Sequence, residues 1–526
     1  MTKAANIAQV SAKGSFHVLW GLVISTIISA VGTIFVARLL GSVLYGLYAI
    51  ALTAPTLMTI FRDWGIPTAM IRYASQYRAE DRATEVRSIL LAGLIFEIAL
   101  GLGLTVLSLA LSDYLAVTVF NRPVIAPLIQ IASFSILAGS LISAATAAFT
   151  GTDRMEMNSI MLICESLIKT ALMIGLVYLG LGTSGAVIGF TASALIAGLI
   201  GITLTWSVYK KLPKQAGLKL EIRAYITEML KYGVPLSLST IVVGLLAQYY
   251  AFILPVYVLD DAIIGNYRIA QNFVVLIGFF ATPITTMLFP AFSKLDFQKD
   301  KETLKNVFQF SIKYASLLVV PVATLVMSLS DPAVSTIFGT TYGTASLFLA
   351  LLAIGYLYTA LGNLSAGNLL SSQGQTKLVL ILAIVTAAIG FPVGSILIPL
   401  FGVIGSIIGS LTIGFPSLFI ALYWIRKHYN LTVDWNASAK ITLSSAVTGA
   451  LTYLVVAQLG FASWMRLIIG VIVFILILIP TMLLTRAITK PDLNNLRIMT
   501  AGLGPLNKII ARIFNLIERI MTALKL

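Results

Sequence analysis

The stretch RLLGSVLYGLYAIA, Arg38 to Ala51, joins the end of one apolar segment to the start of the next. A second stretch, YVLDDAIIGNYRIA from Tyr257 to Ala270, matches it at a shift of 219 residues. The alignment pairs two glycines and two tyrosines, Gly46 with Gly265 and Tyr48 with Tyr267. Self-similarity of this kind predicts that the chain consists of two related halves.

Two further matches lie at nearly the same shift. GTSGAVIG from Gly182 faces GVIGSIIG from Gly402 with all three glycines aligned, and TGTDR at 150–154 echoes QGQTK at 373–377. Small residues are common wherever membrane helices pack closely, so each match alone has an ordinary explanation. The first two matches nevertheless agree in register and in position within the half. A shift of about 220 residues contains six apolar spans, so an axis along the membrane normal should relate the halves.

The composition places the chain in a bilayer. Of 526 residues, 58% are hydrophobic and 10% are charged, whereas soluble domains carry about 25% charged residues. Runs of about 20 apolar residues are long enough to cross the hydrocarbon as helices. We predict about fourteen of them, near 16–40, 47–71, 88–112, 124–150, 157–180, 183–209, 230–259, 262–290, 307–330, 344–370, 376–400, 403–425, 441–460 and 464–486.

The positive charges predict the orientation. With the N-terminus inside, 29 of the 35 Lys and Arg residues fall in inside segments, as expected of cytoplasmic loops. We therefore expect a multi-pass protein of the cytoplasmic membrane with both termini in the cytoplasm. The net charge of +15 is a topology signal and a means of holding anionic membrane lipids, and it gives no support to nucleic-acid binding.

The predicted organisation has five parts. They are an N-terminal six-helix bundle at 1–209, a cytoplasmic basic linker at 210–229, a C-terminal six-helix bundle at 230–430, two additional transmembrane helices at 431–490, and a cytoplasmic basic amphipathic tail at 491–526. The linker is expected to lie partly along the inner surface as an amphipathic helix. The tail lies on the membrane surface or, alternatively, docks on a partner.

The sequence gives no sign of enzymatic chemistry. Cys164 is the one cysteine, and His17 and His428 are far apart, so no metal site is predicted. Motifs for phosphate-binding loops, zinc peptidases and serine hydrolases are absent from the sequence. We predict a protein that is not an enzyme, with no cofactor and with H+ or Na+ as candidate coupling ions.

Several motifs together resemble one family. ARLLG ends the first span, YGLYAIA follows it, GIPTAMIRYAS from Gly65 leads into RAEDRATEVRS, and IGNYRIAQN lies in mid-chain. These features resemble the polysaccharide-exporter branch of the multidrug/oligosaccharidyl-lipid/polysaccharide (MOP) superfamily, the flippases often called Wzx. The resemblance covers nearly the whole chain in helix count and halves. It implies an all-α, MATE-like fold in which a V-shaped pair of six-helix bundles encloses a cavity that faces each side in turn.

The function implied by the resemblance is that of a flippase for polyprenyl-(pyro)phosphate-linked oligosaccharides, working by alternating access in cell-surface polysaccharide or glycoprotein glycan assembly. Its expected partners are the lipid-linked glycan and anionic lipids, with glycosyltransferases or a polymerase as further candidates, and the protein is expected to be a monomer.

A phosphate-bearing substrate requires cations at membrane depth. Ionisable residues in spans are costly and mark functional positions, and the candidates are Arg38, Arg62, Asp63, Glu97, Glu165, Lys169 and Arg268.

The four basic residues are candidates for the substrate phosphate. Arg62 can grip a phosphate through two hydrogen bonds, or it can contact a lipid headgroup. Lys169 lies four residues after Glu165 on one helix face, so this pair can neutralise itself. Arg38 and Arg268 lie near outer helix ends, where snorkelling to water is the alternative.

The acids and the neutral polar residues have other roles. Glu97, Asp63 and Glu165 are candidate coupling carboxylates. Glu97 is favoured because burial would couple its protonation to conformation, although a structural hydrogen bond would explain it equally. A set of amides either lines a sugar-binding surface or forms interhelical hydrogen bonds, namely Gln248, Gln271, Asn272, Asn363 and Asn368. Gly46, Tyr48, Gly265 and Tyr267 are expected to form a flexible repeat element, or hinge.

Four other functions remain open. A cation-coupled multidrug exporter of the MATE type shares the twelve core helices but typically lacks the last two. The lipid-linked peptidoglycan precursor flippase has fourteen helices but typically carries arginines in its first helix, whereas the span from Val18 to Ala37 has no charge. A non-transporting scaffold for glycan-assembly enzymes, or a membrane-embedded glycosyltransferase, is the alternative from another class.

Overall fold

The computed structural model describes residues 3–62, 64–213, 222–296 and 299–500, together with isolated residues between 512 and 522. Regular structure in these residues is helical throughout. The α-helices are α1 Lys3–Ile60, α2 Ile66–Ala79, α3 Ala83–Tyr114, α4 Ala126–Gly151, α5 Met155–Leu176, α6 Gly182–Lys211, α7 Ile222–Tyr257, α8 Asp261–Ser293, α9 Lys301–Ser328, α10 Ser330–Ile337, α11 Ala345–Leu357, α12 Asn363–Ser372, α13 Thr376–Thr412, α14 Gly414–Tyr429, α15 Trp435–Ala457, α16 Ser463–Leu484 and α17 Lys490–Thr500.

The described residues contain ten helical stretches that are long and apolar enough to span a membrane, or eleven if α11 and α12, which meet at a 55° bend, form one span. Three of these stretches have 43, 57 and 54 residues, at least twice the length that one crossing of about 20 residues needs. Each contains a glycine with non-helical backbone, Gly41, Gly180 or Gly402. With the bent pair α11–α12 taken as one span and each of these three long stretches taken as two, the count agrees with the fourteen crossings expected from hydropathy.

The glycine repeat has the same backbone geometry in both halves. Gly182 has φ 50° and ψ −133°, and Gly402, 220 residues later, has φ 56° and ψ −128°. Residues with a side chain rarely adopt this conformation, so glycine is required at both positions. The glycine repeat found in the sequence therefore has matching backbone geometry at these two positions.

The match between TGTDR at 150–154 and QGQTK at 373–377 corresponds to two similar turns, but the predicted alignment of these stretches was wrong by two residues. Helix α4 ends in a cap at Thr152 followed by Asp153 with φ 55°, and α12 ends in a cap at Gln373 followed by Gly374 with φ 71°. The backbone hydrogen bonds of the two turns match one for one at a shift of 221 residues. The register follows from the left-handed residue after each helix, because Asp and Gly both tolerate that conformation.

Helices α1 and α8 touch backbone to backbone at the matched glycines. A Cβ atom on Gly46 would overlap the carbonyl oxygen of Asp261, and one on Gly265 would overlap that of Ser42. Each hypothetical Cβ would also lie 3.1 Å from the backbone nitrogen of the other glycine. The contact is thus symmetric, and it depends on the absence of a side chain at both positions.

Arg122 ties the α3–α4 loop to the turn between α7 and α8. Its side chain is 7% exposed, and its Nε lies 2.6 Å from Oδ1 of Asp261. Its guanidinium also donates to the carbonyl oxygens of Phe120, Pro255 and Val258 at 2.7–2.8 Å. These bonds fix the start of α8 beside the glycine contact, because Asp261 takes part in both.

The chain divides into two compact units. One contains Met1–Arg268 and Ala387–Gly409, and the other contains Ile269–Thr386 and Ser410–Leu526. In the first unit, α7 starts inside the predicted linker, and Met229 on its first turns is fully buried in a core formed with α2 and α3. Residues 214–221 of the linker lie outside the described residues.

In the second unit, α17 is anchored to α9 by a buried carboxylate. Asp492 is 3% exposed; it accepts hydrogen bonds from Nζ of Lys313 at 2.7 Å and from Oγ1 of Thr489 at 2.6 Å. Burial alone would raise the pKa of Asp492, but these hydrogen bonds outweigh it and hold the pKa below its ordinary value. The predicted amphipathic segment from Pro505 lies mostly outside the described residues, although Met521 packs against Leu483 and Leu493.

Replacing Gly46 or Gly265 with alanine should destabilise the protein by about 2 kcal/mol or more, because the new methyl group meets a backbone carbonyl that cannot rotate away. The measurement is the thermal unfolding midpoint of the purified full chain. Gly103→Ala on α3 is the matched control, since a Cβ there has open space and should be neutral or slightly stabilising. Equal midpoints for Gly46→Ala and Gly103→Ala would contradict the observed contact.

Asp492→Asn should weaken the docking of α17 by about 3 kcal/mol, because it leaves the half-buried Lys313 without its counter-charge. Since the folded-state pKa is lowered, the carboxylate stabilises docking above its ordinary value of 3.8. That contribution is lost as the pH falls through the lower folded value. Hydrogen exchange of α17 is the measurement, with the exposed Asp331→Asn as control, and unchanged exchange in Asp492→Asn would argue against the anchor.

Candidate functional site

Arg62 lies in the short connection between α1 and α2, just beyond the apolar helical stretch Val18–Ile60. Helix α1 ends at Ile60, and α2 begins after Gly65, whose φ of 75° favours glycine. Pro67 lies in the first turn of α2, where a backbone N–H would have no hydrogen-bond partner within the helix, so proline costs nothing there. The prediction of one continuous span at 47–71 was therefore wrong at this point. Glycine at 65 also permits close backbone packing against Gly233 of α7.

The guanidinium of Arg62 lies against α4 at Gly139. A Cβ on Gly139 would overlap Nη1 of Arg62, so the absence of a side chain makes room for the cation. Arg62 itself is half-buried. Sequence reasoning singled out the arginine but missed Gly139, because the two are 77 residues apart and no periodicity connects them. Asp63, the neighbouring candidate, lies outside the described residues.

Glu97 lies fully buried on α3, with 0% of its surface exposed. One turn further along α3, a Cβ on Gly101 would lie 2.5 Å from Oγ of Ser140 on α4, next to the glycine that receives Arg62. Arg62, in the connection between α1 and α2, and Glu97, on α3, therefore both lie near the place where α3 packs against α4. The expected burial of Glu97 is present, and its role as a coupling carboxylate stays a prediction.

Glu165 and Lys169 lie on α5 and are both half-buried. Their charges interact, but among the described ion pairs, which extend to 4.0 Å, none joins them. The simple self-neutralising pair expected from their spacing is therefore looser than predicted. Their assignment to the substrate or to coupling remains untested.

The hinge candidates come together at the α1–α8 contact. Tyr48 is 8% exposed and Tyr267 is 7% exposed, and the hydroxyl of Tyr267 lies 3.4 Å from that of Ser406. Arg268, whose charge acts on Tyr48, is exposed, as is Arg38 three residues before the kink at Gly41. Exposure of both arginines is compatible with a substrate role and with snorkelling.

The five candidate amides are divided between the two compact units. Gln248 lies half-buried on α7 in the first unit, whereas the other four lie on α8 and α12 in the second. Asn368 donates to the carbonyl of Leu364 within its own helix at 2.8 Å, and Asn363 is exposed at the bend before α12. A sugar-binding role for these residues stays a prediction. Among the described residues, no group of three or more His, Cys, Asp or Glu side chains is arranged to hold a metal ion.

Comparison with known proteins supplies the family. The family model for polysaccharide biosynthesis proteins matches residues 11–296, more than half of the chain. A membrane protein of Methanocaldococcus jannaschii, MJ1068, is 23% identical over 406 residues, which cover 74% of this chain and 79% of that protein. The probable low-salt glycan biosynthesis flippase Agl15 of Haloferax volcanii is 20% identical over 311 residues, which cover 59% of this chain and 65% of Agl15.

Solved structures share the fold. The lipid II flippase MurJ in an inward closed conformation superposes with a TM-score of 0.69 at 17% identity, covering 88% of this chain and 97% of MurJ. An inward-facing MATE-family multidrug resistance transporter of the MOP superfamily gives a TM-score of 0.60 at 17% identity, covering 77% of this chain and 94% of the transporter. The all-helical, MATE-like fold with many membrane spans that the sequence predicts is thus confirmed. This multi-pass membrane protein belongs to the polysaccharide biosynthesis protein family and has the fold of the MOP exporter superfamily.

Proposed function

We propose that this protein is a flippase that moves polyprenyl-(pyro)phosphate-linked oligosaccharides outward across the cytoplasmic membrane by alternating access. The products would serve cell-surface polysaccharide or glycoprotein glycan assembly. Membership of the polysaccharide biosynthesis family and similarity to the flippase Agl15 support the substrate class. The observation that carries the proposal is the guanidinium of the half-buried Arg62, which lies between α1 and α2 and against Gly139 of α4.

The chemistry at the break suits a phosphate. A guanidinium presents paired N–H donors that match phosphate oxygens. The 14-residue helix α2 begins four residues after Arg62, at Ile66, without a side-chain cap, and helix N-termini add positive potential. Interrupted helices that offer such termini form substrate sites in many secondary transporters. The same span therefore provides a charged side chain and a favourable helix end.

We assign the coupling role to Glu97. A fully buried carboxylate on a transport helix is costly when ionised, so its protonation favours one conformation over another. Protons are accordingly the first candidate for the coupling ion, and Na+ is the second. The protein uses no cofactor and performs no covalent chemistry in this proposal, and it acts as a monomer with both termini in the cytoplasm.

The pivot of the conformational cycle is proposed to be the contact of Gly46 with Gly265. Two backbones in direct contact can rotate about one another without repacking large side chains. The kink at Gly41 and the break at 258–260 lie next to this contact on its two helices. Glycosyltransferases or a polymerase remain candidate partners on either side of the membrane.

A MATE-type multidrug exporter is the second candidate, because such a transporter shares the fold. The solved structure of that kind covers 77% of this chain, whereas MurJ covers 88%. The additional coverage and the polysaccharide family match favour the lipid-linked glycan. A transport assay with a cationic drug and a lipid-linked oligosaccharide in the same vesicles separates the two functions.

Arg62→Gln should slow flipping by about 10- to 100-fold, because it removes charge-assisted hydrogen bonds worth about 1.5–3 kcal/mol. Arg62→Lys should restore part of the rate, since it keeps the charge and loses the paired donors. The assay follows a fluorescent polyprenyl-diphosphate oligosaccharide in proteoliposomes with an added quencher. Arg223→Gln, at an exposed position on α7, is the control of equal charge. Folded Arg62→Gln that flips at the wild-type rate would remove the central support.

Glu97→Gln should abolish the response of flipping to an imposed pH gradient while leaving the protein folded, because the amide has nearly the same shape and cannot titrate. The flipping rate is measured with and without the gradient. Glu302→Gln, at an exposed position on α9, should respond as the wild type does. A full response in Glu97→Gln would transfer the coupling role to another group.

A further inference from the structure

A small basic cavity lies where the ends of α2, α4 and α6 meet the start of α5. Its volume is about 240 Å³, and its lining includes three cationic side chains, Arg78, Arg154 and Lys211, and no carboxylate. Apolar side chains of Met157, Leu204, Val208 and Leu212 complete the lining. All of these residues belong to the first compact unit. The cavity thus combines positive charge with an apolar wall.

The cations are positioned and remain available for a ligand. Nη1 of Arg78 donates to the carbonyl of Thr152 and to Oδ2 of Asp153 at 2.9 Å, while none of the described hydrogen bonds uses its Nη2. Nη1 of Arg154 lies 3.5 Å from Glu156, a loose exposed pair. Lys211 forms no ion pair with any described side chain. The start of the 22-residue helix α5 has no side-chain cap, which favours an anion there.

The surrounding surface has the composition of a lipid headgroup zone. Trp206 and Tyr209 stack with ring centroids 5.2 Å apart. Arg87 lies over the ring of Tyr209 at 4.1 Å and donates to the carbonyl of Leu212 at 2.8 Å. Tryptophan, tyrosine and basic residues concentrate where membrane helices leave the hydrocarbon. An apolar chain beside the cavity would therefore lie in the membrane while its headgroup reaches the cations.

The second repeat has a counterpart with different chemistry. A cavity of about 930 Å³ is lined by residues at equivalent positions in the second unit, including Gln375, Trp424 and His428. At shifts of 221 and 220, Arg154 corresponds to Gln375, and Leu204 corresponds to Trp424. The fold therefore provides a cavity at this place in each repeat, and the first one carries the greater positive charge.

We propose that the first cavity binds the phosphate of an anionic lipid. Two lipids carry this chemistry: an ordinary anionic phospholipid, and a polyprenyl phosphate of the kind that carries glycans. The site does not depend on the flippase proposal, because lipid binding is measured without transport. A protein that fails to flip lipid-linked glycans can still hold this lipid.

The test is native mass spectrometry of the full chain released from nanodiscs that contain phosphatidylcholine with phosphatidylglycerol or with polyprenyl phosphate. We expect the wild type to retain one more anionic lipid than the variant R78Q/R154Q/K211Q. Each lost charge-assisted hydrogen bond should weaken binding about tenfold. The matched control is K294Q/R426Q/K427Q in the second repeat, which removes three exposed cations and should retain the lipid.

The two lipid arms identify the source of the phosphate. Retention of both lipids supports a structural lipid site, and retention of polyprenyl phosphate alone supports a site where carrier lipid gathers. Should the triple variant misfold, Lys211→Gln alone removes a cation without breaking a described contact and should weaken retention about tenfold. The proposal would be overturned if R78Q/R154Q/K211Q retained as much anionic lipid as the wild type. It would also be overturned if the control variant lost as much lipid as that triple variant, or if inorganic phosphate alone occupied the site as fully as the lipids do.

Discussion

The fold depends on the contact between the backbones of α1 and α8 at Gly46 and Gly265. Lipid tails provide no hydrophobic force between helices, so close packing of small residues must hold them together. Any side chain at either position would overlap a carbonyl oxygen of the other helix. Arg122 strengthens this point by binding Asp261, whose own carbonyl faces Gly46. The matched stretches of the two repeats thus meet at one place.

Much of this architecture follows from the sequence, for clear physical reasons. Crossing the hydrocarbon requires about 20 apolar residues, so the fourteen spans are visible without a structure, and glycines such as Gly182 and Gly402 reveal the repeat because their backbone angles exclude other residues. The sequence did not predict the break before α2 or the space beside Gly139 that the guanidinium of Arg62 occupies. They depend on contacts between residues far apart in the chain, which no local periodicity records.

The two repeats share a backbone but have diverged in charge. Arg62 and Glu97, the strongest candidates for substrate and coupling roles, both approach the α3–α4 contact of the first repeat. The basic cavity of Arg78, Arg154 and Lys211 also belongs to that repeat, while the lining of its counterpart includes one lysine, Lys294, and one carboxylate, Asp296, whose charges offset. Charge in the membrane is costly, and its concentration in the first repeat is the reason we propose that this repeat binds the phosphate.

The central claim is that the glycine contact remains closed while the protein transports. Val43 and Leu259 flank this contact, one on each helix side, and are 50% and 65% exposed. Both positions are replaced by cysteine and spin-labelled in a chain whose own Cys164 has been replaced by alanine. Electron–electron distance measurements in transporting proteoliposomes should give one short distance with and without lipid-linked oligosaccharide. A second, longer distance that appears when substrate is added would contradict the account.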